Sequence, residues 1–357
     1  MNSSGRTIRS PENGDAAFCL EILPRVSRTF AINIGFLSGD LHRAVLCGYL
    51  FCRMIDTVED STALLPEEKV EILELWNSFF PFEGDWESRL GEFVSKSVSG
   101  RGALTENESE TLLLKEALRV FRYFGGLSRE VHARVSLWVR EMSGGMAEFQ
   151  RRASRSAGPV FCLDSLEELE RYCYYVAGTV GRMLAELFVF FHPEIPGGAR
   201  DTMQRNAVSF GLGLQMTNII KDVRDDRGRN WCFIPKSVIR DAGVEPGAYL
   251  EERRFDQTGR VLERLIPHAA SHLDRALAFT RALPKNARDL RMFCLLPLHF
   301  AAATLAKAGK WARKPGPDPI KISRFQVKAT LGFCRAFYGS NALQNVFYRY
   351  YRGKLSK

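Results

Sequence analysis

Several common signals are missing from this chain of 357 residues. No two cysteines are spaced Cys-x-x-Cys. The eight present (19, 47, 52, 162, 173, 232, 294 and 334) are scattered, most of them inside apolar runs. That excludes a zinc-finger or disulfide framework and fits buried, reduced thiols in a cytosolic protein. The longest apolar stretches, "LAELFVFF" and "FCLLPLHFAAATLA", fall short of the roughly 18 to 20 residues that span a bilayer. The opening "MNSSGRTIRSPENGD" has no apolar h-region, so residues 1–14 are expected to be a disordered polar tail and not a secretion signal. Sustained period-two alternation is absent, as is an Asn-Gly turn between alternating runs, which leaves little room for strands.

What is present is ordinary globular composition, 45% hydrophobic and 25% charged, enough for a large core. The net charge of +9 and pI near 9.2 call for an anionic partner: nucleic acid, membrane surface or phosphorylated substrate. Nucleic acid is set aside, because no zinc-finger spacing, RRM signature or basic block with stacking aromatics is found. The end "NVFYRYYRGKLSK" mixes aromatics with bases, and residues 351–357 form a basic tail. It suits peripheral contact with lipid headgroups, or equally a solvated helix end.

Apolar residues recur at helical spacing in 43–58, 66–80, 111–124, 129–150, 165–191, 201–224, 259–283, 287–308 and 325–348. Breakers fall at 99–108, 154–159, 192–200 and 309–319. With no fixed repeat and no domain linker, residues 15–350 are expected to form one all-α domain, a helical bundle whose ligand cavity lies centrally between facing helices.

Two acidic clusters interrupt the apolar pattern: "DTVED" (56–60) after "GYLFCRMI", and "DVRDD" (222–226) after "LGLQMTNII". On a helix, Asp56 and Asp60 share a face, as would Asp222 and Asp226. A single Asp-x-x-x-Asp is usually a solvated face. Two of them, each following an apolar run and each beside a base (Arg53, Lys221), suit magnesium holding a diphosphate, since magnesium typically uses one or two carboxylates plus phosphate oxygens.

At this point the residues resemble a family, the squalene and phytoene synthases, and within it the squalene synthase branch. Six motifs in order carry the resemblance: "VSRTF" (26–30), "YLFCRMIDTVED" (49–60), "MSGGMAEF" (142–149), "YCYYVAGTVG" (172–181), "QMTNIIKDVRDD" (215–226) and "RMFCLLP" (291–297). The resemblance implies an all-α isoprenoid-synthase fold and magnesium-dependent condensation of two farnesyl diphosphates to presqualene diphosphate. NADPH then reduces that product to squalene. By motif position it implies Asp56, Glu59, Asp60, Asp222 and Asp226 as magnesium ligands. Ser27, Arg28, Phe30, Tyr49, Arg53 and Asn218 are implied for substrate, and Arg28, Arg53, Lys221, Lys321 and Arg324 for NADPH. Tyr172 and Phe293 fall at positions that handle the carbocation. Tyr172 could also be a packed core tyrosine, and Phe293 a core ring. Ser27 and Arg28 could cap and solvate a helix start, and the paired glycines of "MSGGMAEF" could serve helix packing alone.

Two departures bear on the cofactor. Trp231 stands where the family usually has an arginine, with Arg227 and Arg229 nearby, and "KISR" (321–324) has Ser323 in place of one base. The alternatives are an enzyme that stops at presqualene diphosphate, one that makes phytoene from geranylgeranyl diphosphate, a cyclising terpene synthase, and a non-catalytic scaffold member of the family. The sequence leaves the oligomeric state, monomer or otherwise, open.

Overall fold

Short polar side chains start many of the helices in the computed structural model, which describes residues 13–80, 84–156, 158, 160–223, 231–251 and 254–355. Ser27 Oγ accepts from Phe30 N, Ser165 Oγ from Glu168 N and Ser340 Oγ from Leu343 N, each at 3.3 Å. These bonds satisfy first-turn N–H groups that a helix cannot pair internally. The chain gathers into two compact units, Met1–Ser154 and Arg155–Lys357.

The first unit holds α1 (Asn13–Val26), α2 (Arg28–Ile34), α3 (Gly39–Asp60), α4 (Pro66–Trp76), α5 (Trp86–Val94), α6 (Glu108–Lys115), α7 (Ala117–Gly125) and α8 (Arg129–Ser154). Its core is aromatic. Phe51 of α3 packs against Phe80, Phe121 and Phe124 at centroid distances of 5.1, 4.7 and 5.3 Å. This edge-on packing fixes the face of α3 that points inward, and so the face left for its acids. The helix carrying "MSGGMAEF" runs unbroken through α8, and Ser143 Oγ donates to Leu73 O of α4 at 2.7 Å. That part of the motif holds two helices together.

The second unit contains β1 (Phe161–Cys162), α9 (Leu166–Cys173), α10 (Thr179–Phe191), α11 (Gly197–Lys221), β2 (Trp231–Cys232), α12 (Lys236–Asp241), α13 (Pro246–Glu251), α14 (Phe255–Ala282), α15 (Arg288–Arg313), α16 (Arg324–Phe337) and α17 (Asn341–Arg352). A π-helical turn, Tyr174–Gly178, joins α9 to α10. Gly181 and Gly211 allow α10 and the π turn to lie directly on α11, since a Cβ at either would collide with a backbone carbonyl, of Ala207 or Ala177. The buried Arg291 of α15 donates to Leu283 O at 2.9 Å, Asn341 Oδ1 at 2.6 Å and Tyr338 O. One guanidinium thereby joins the end of α14 to both helices that follow α15.

Most of the periodic segments are helices, but their ends differ from the sequence pattern. The segment 111–124 divides at Glu116, 165–191 contains the π turn, and 325–348 divides into α16 and α17. Helix α11 begins at Gly197 and α15 continues to Arg313, both inside stretches expected to break helices. Five short or amphipathic helices (α1, α2, α5, α12 and α13) were not apparent from apolar spacing. The strands β1 and β2 form one parallel pair of two residues each, too short to leave an alternating pattern.

All eight cysteines are buried and free. By length and composition, Leu166–Phe191 and Arg288–Arg313 could each cross a membrane, although no uninterrupted apolar run in them is long enough. The more apolar window of 288–313 is 83% buried inside the structure, as expected of a core helix.

Candidate active site

The last turns of α3 carry the first acidic cluster. Asp56 and Asp60 lie one turn apart and half-buried, and Glu59, 8% exposed, falls in the same helical arc. Around them the structure brings together residues from three segments. Arg53 Nη1 lies 3.7 Å from Asp56 Oδ2 and 3.8 Å from Glu110 Oε1 of α6. Arg53 Nη2 donates to the Tyr49 hydroxyl at 3.1 Å, and Ser27 also hydrogen-bonds that hydroxyl. The Phe30 ring packs on Tyr49 with centroids 5.0 Å apart. Arg28 is exposed at the first position of α2.

The electrostatics follow from this crowding. Burial by itself would lower the Arg53 pKa, but the Asp56 charge, then Tyr49 and Glu110, raise it overall. Burial raises the Tyr49 pKa against the pull of Arg53, so its phenol stays protonated and can donate. Arg53 Nε is buried without a hydrogen-bond partner, so this guanidinium has a donor to spare.

Of the second cluster, Asp222 is the one aspartate among the described residues. Helix α11 ends at Lys221, and Asp222 is its C-cap, with φ −98° and ψ 13°. The helical one-turn relation therefore links Asn218 to Asp222, whose N–H donates to Asn218 O at 2.8 Å. It gives no geometry for Asp226, which lies outside the described residues, as do Arg227 and Arg229. Asn218 is exposed, and Lys221 Nζ pairs with Asp222 Oδ2 at 3.0 Å.

Tyr172 stands in the last turn of α9, immediately before the π turn, and is 4% exposed. π-helical turns are often found at functional sites. Its ring lies 4.7 Å from Phe233 and 6.2 Å from Trp231, and the pairing of β1 with β2 sets Trp231 against Phe161 at 4.7 Å. Trp231, met in the sequence only as a missing arginine, is thus part of an aromatic wall beside Tyr172. Tyr174 and Tyr175 are half-buried and pack on each other. Phe293, 5% exposed on α15, meets Phe188 of α10 edge-on at 5.7 Å.

Ser323, the other departure, has a structural task. It caps α16, accepting from Gln326 N at 3.2 Å while Gln326 Oε1 accepts from Ser323 N at 2.9 Å. Lys321 and Arg324 flank it and are exposed; Lys321 O accepts from Lys307 Nζ.

Sequence reasoning missed Glu110, Trp231 and Phe233. Nothing local ties Glu110 to Arg53, because that contact is tertiary. The only signal for the aromatic wall was the density of rings in "WCF".

The residues fit magnesium only jointly with a phosphate. Among the described residues, no three His, Cys, Asp or Glu side chains gather into a cage. Magnesium does not require one: one or two carboxylates suffice when phosphate and water complete the shell, and Asp56 and Asp60 offer that set.

The fold is all-α and of the isoprenoid-synthase type. TcSQS in complex with the ligand BPH1237 superimposes with a TM-score of 0.77 at 23% identity, over 96% of this chain and 92% of that one. A dehydrosqualene synthase in complex with ligand gives 0.59 at 20% identity, over 92% and 97%. The sequence model of the squalene/phytoene synthase family matches residues 23–325, and the chain belongs to that family. The squalene synthase of Homo sapiens is 30% identical over 288 residues, which is 81% of this chain and 62% of the human protein. That of Schizosaccharomyces pombe is 30% identical over 306 residues, 86% of this chain and 62% of its own length. Inactive squalene synthase 2 of Arabidopsis thaliana is 28% identical over 295 residues, 81% and 64%. The chain therefore spans about three fifths of the length of these curated relatives.

Proposed function

We propose that the chain is a magnesium-dependent prenyl transferase that joins two farnesyl diphosphates head to head into presqualene diphosphate and then, with NADPH, reduces it to squalene. The observation that carries this reading is the convergence of Ser27, Phe30, Tyr49 and Arg53 beside Asp56: donors and a base gathered next to hard oxygen ligands. Relatives called squalene synthase and inactive squalene synthase are similar to this chain to nearly the same degree, so overall similarity does not decide activity. The side chains must.

Asp56, Glu59 and Asp60 would hold magnesium in the first unit, and Asp222, with Asp226, in the second. Bound there, magnesium neutralises the charge that develops on a departing diphosphate. Arg53, with its spare Nε–H, together with Arg28, Tyr49 and Ser27, binds the same oxygens. Lys221 and Asn218 would bind diphosphate oxygens beside Asp222. The C–O bond breaks with its electron pair going to the diphosphate oxygen. The allylic cation adds to the double bond of the second substrate, and closure of the cyclopropane expels a proton. Tyr172 would accept or relay that proton, with the released diphosphate as the final base. Aromatic faces such as those of Phe293 and of the rings around Tyr172 stabilise a cation by roughly 0.5 to 2 kcal/mol without attacking it. NADPH would supply the hydride of the second step, held by Lys321, Arg324, Lys221, Arg28 and Arg53.

Trp231 favours a second reading, in which the enzyme stops at presqualene diphosphate. The ring occupies an expected arginine position and is turned into an aromatic cluster, which removes one charge for a phosphate or cofactor. Product identification after incubation with farnesyl diphosphate and magnesium, with and without NADPH, separates the two. Squalene only with NADPH supports the first reading, and presqualene diphosphate in both arms the second. Phytoene from geranylgeranyl diphosphate in preference to either assigns the longer substrate, and no product from any prenyl diphosphate refutes the proposal.

A further inference from the structure

Between Pro319 and Lys357 the sequence has no Asp or Glu and eight Lys or Arg, while the whole chain carries a net +9. Five of these eight bases lie on α16 (Arg324, Lys328, Arg335) and α17 (Arg349, Arg352), with no acid on either helix to offset them. Both helices turn one face inward. Thr330 and Cys334 of α16 and Gln344, Tyr348 and Tyr351 of α17 are buried, and the rings of Phe333 and Phe347 stack between the helices at 4.2 Å.

The opposite faces combine large apolar groups with bases. On α16, Phe325 is 78% exposed and shares its face with the exposed Lys328 and Arg335. On α17, Val346 is 65% and Tyr350 56% exposed, one turn apart, with Arg349 exposed beside them. Two bases here already have partners: Arg352 pairs with Asp274 at 3.3 Å, and Lys354 Nζ donates to the Tyr350 hydroxyl at 2.6 Å and lies over its ring. Leaving such apolar groups in water is unfavourable, and a cluster of them marks a contact surface.

We infer that the outer faces of α16 and α17 form a docking surface for an anionic lipid bilayer. Two observations choose this occupant. The apolar side chains gain nothing from a bare polyanion such as nucleic acid, whereas the interfacial region of a bilayer accepts aromatic and aliphatic groups together with bases. A second copy of the same face would bring like charges together with no acid between 319 and 357 to offset them. The inference stands on this surface alone and does not depend on the prenyl-transfer reaction.

Flotation of the full chain with vesicles tests it, using phosphatidylcholine alone and phosphatidylcholine containing about a third phosphatidylglycerol. The chain is expected to float with the anionic vesicles and to stay behind with the neutral ones. The pairs F325S/V346S and K328E/R335E should each weaken flotation about tenfold or more, with circular dichroism unchanged because all four side chains are exposed. Asp56→Asn should float like the parent, which separates this surface from the candidate active site. Failure of the parent chain to float with anionic vesicles overturns the inference. So does full flotation of F325S/V346S, which would leave only a general polybasic patch. A change in oligomeric size of F325S/V346S in vesicle-free solution would reassign the face to a second copy of the chain.

Discussion

Arg53 and Asp56 form an ion pair, Nη1 to Oδ2 at 3.7 Å, on a helix whose next turn supplies Asp60. The base and the acid assigned to one diphosphate are thus already in contact, and a magnesium diphosphate arriving here must exchange partners with both. Glu110, 3.8 Å from Arg53, keeps the guanidinium in place meanwhile. Glu110→Gln should raise KM for farnesyl diphosphate about two- to fivefold while changing kcat less, the size expected for a partly exposed pair. An unchanged KM removes Glu110 from that role.

Tyr172→Phe keeps the ring packed on Phe233 and removes only the hydroxyl. Loss of a proton acceptor should lower kcat roughly 10²-fold or more with little change in KM. Unchanged turnover would return Tyr172 to the core as a packing residue.

Trp231 separates the two readings of the reduction step. If its ring has replaced a cofactor contact, Trp231→Arg should lower KM for NADPH and raise squalene formation relative to presqualene diphosphate. If Trp231 serves the aromatic wall instead, the same substitution should depress the first condensation by about tenfold through lost cation stabilisation. Product ratios measured on one preparation distinguish these outcomes.

Arg291 is fully buried and spends its donors on the end of α14, on Tyr338 O and on Asn341. Arg291→Leu would leave those acceptors unpaired and should cost about 3 to 5 kcal/mol in urea unfolding. A loss under 1 kcal/mol, by the same reckoning, would mean that water or neighbouring groups replace the guanidinium.

His299 gives the fold an acid sensitivity. Burial holds its pKa down, from 6.5 to about 4, with Nε2 2.7 Å from Gln344 Oε1. The ring is neutral when folded and protonates more readily when unfolded. Its contribution is therefore complete above pH 6.5 and is lost as the pH falls toward about 4. Over that window the melting temperature should drop, by an amount equivalent to about 2 to 3 kcal/mol at this site. His299→Gln, which keeps a donor for Gln344, should make the drop shallower; an identical pH profile would assign the sensitivity to other groups.

The all-α architecture was legible because long amphipathic helices such as α3, α8, α14 and α15 must bury one face, and the resulting spacing survives in the sequence. Helices α1, α2 and α5 were not, since a short helix leaves few apolar repeats and relies on neighbours for stability. In the candidate site, Asp56, Arg53 and Tyr49 could be read together because one helix carries all three at one-turn steps. Glu110 could not, as tertiary packing alone brings α6 to α3. The end of α11 at Lys221 was also hidden: the apolar period runs up to Ile220, and nothing in "KDVRDD" announces a stop. Trp231 appeared only as an absence, because a two-residue strand pairing has no sequence signature of its own.

Release of diphosphate from farnesyl diphosphate, followed against magnesium concentration in the parent chain and in Asp56→Asn and Asp222→Asn, tests the central claim most directly. The account predicts magnesium-dependent release by the parent and a loss on the order of 10²-fold or more in each variant, with circular dichroism unchanged. Release by either variant at the parental rate, or release by the parent that is indifferent to magnesium, would contradict it.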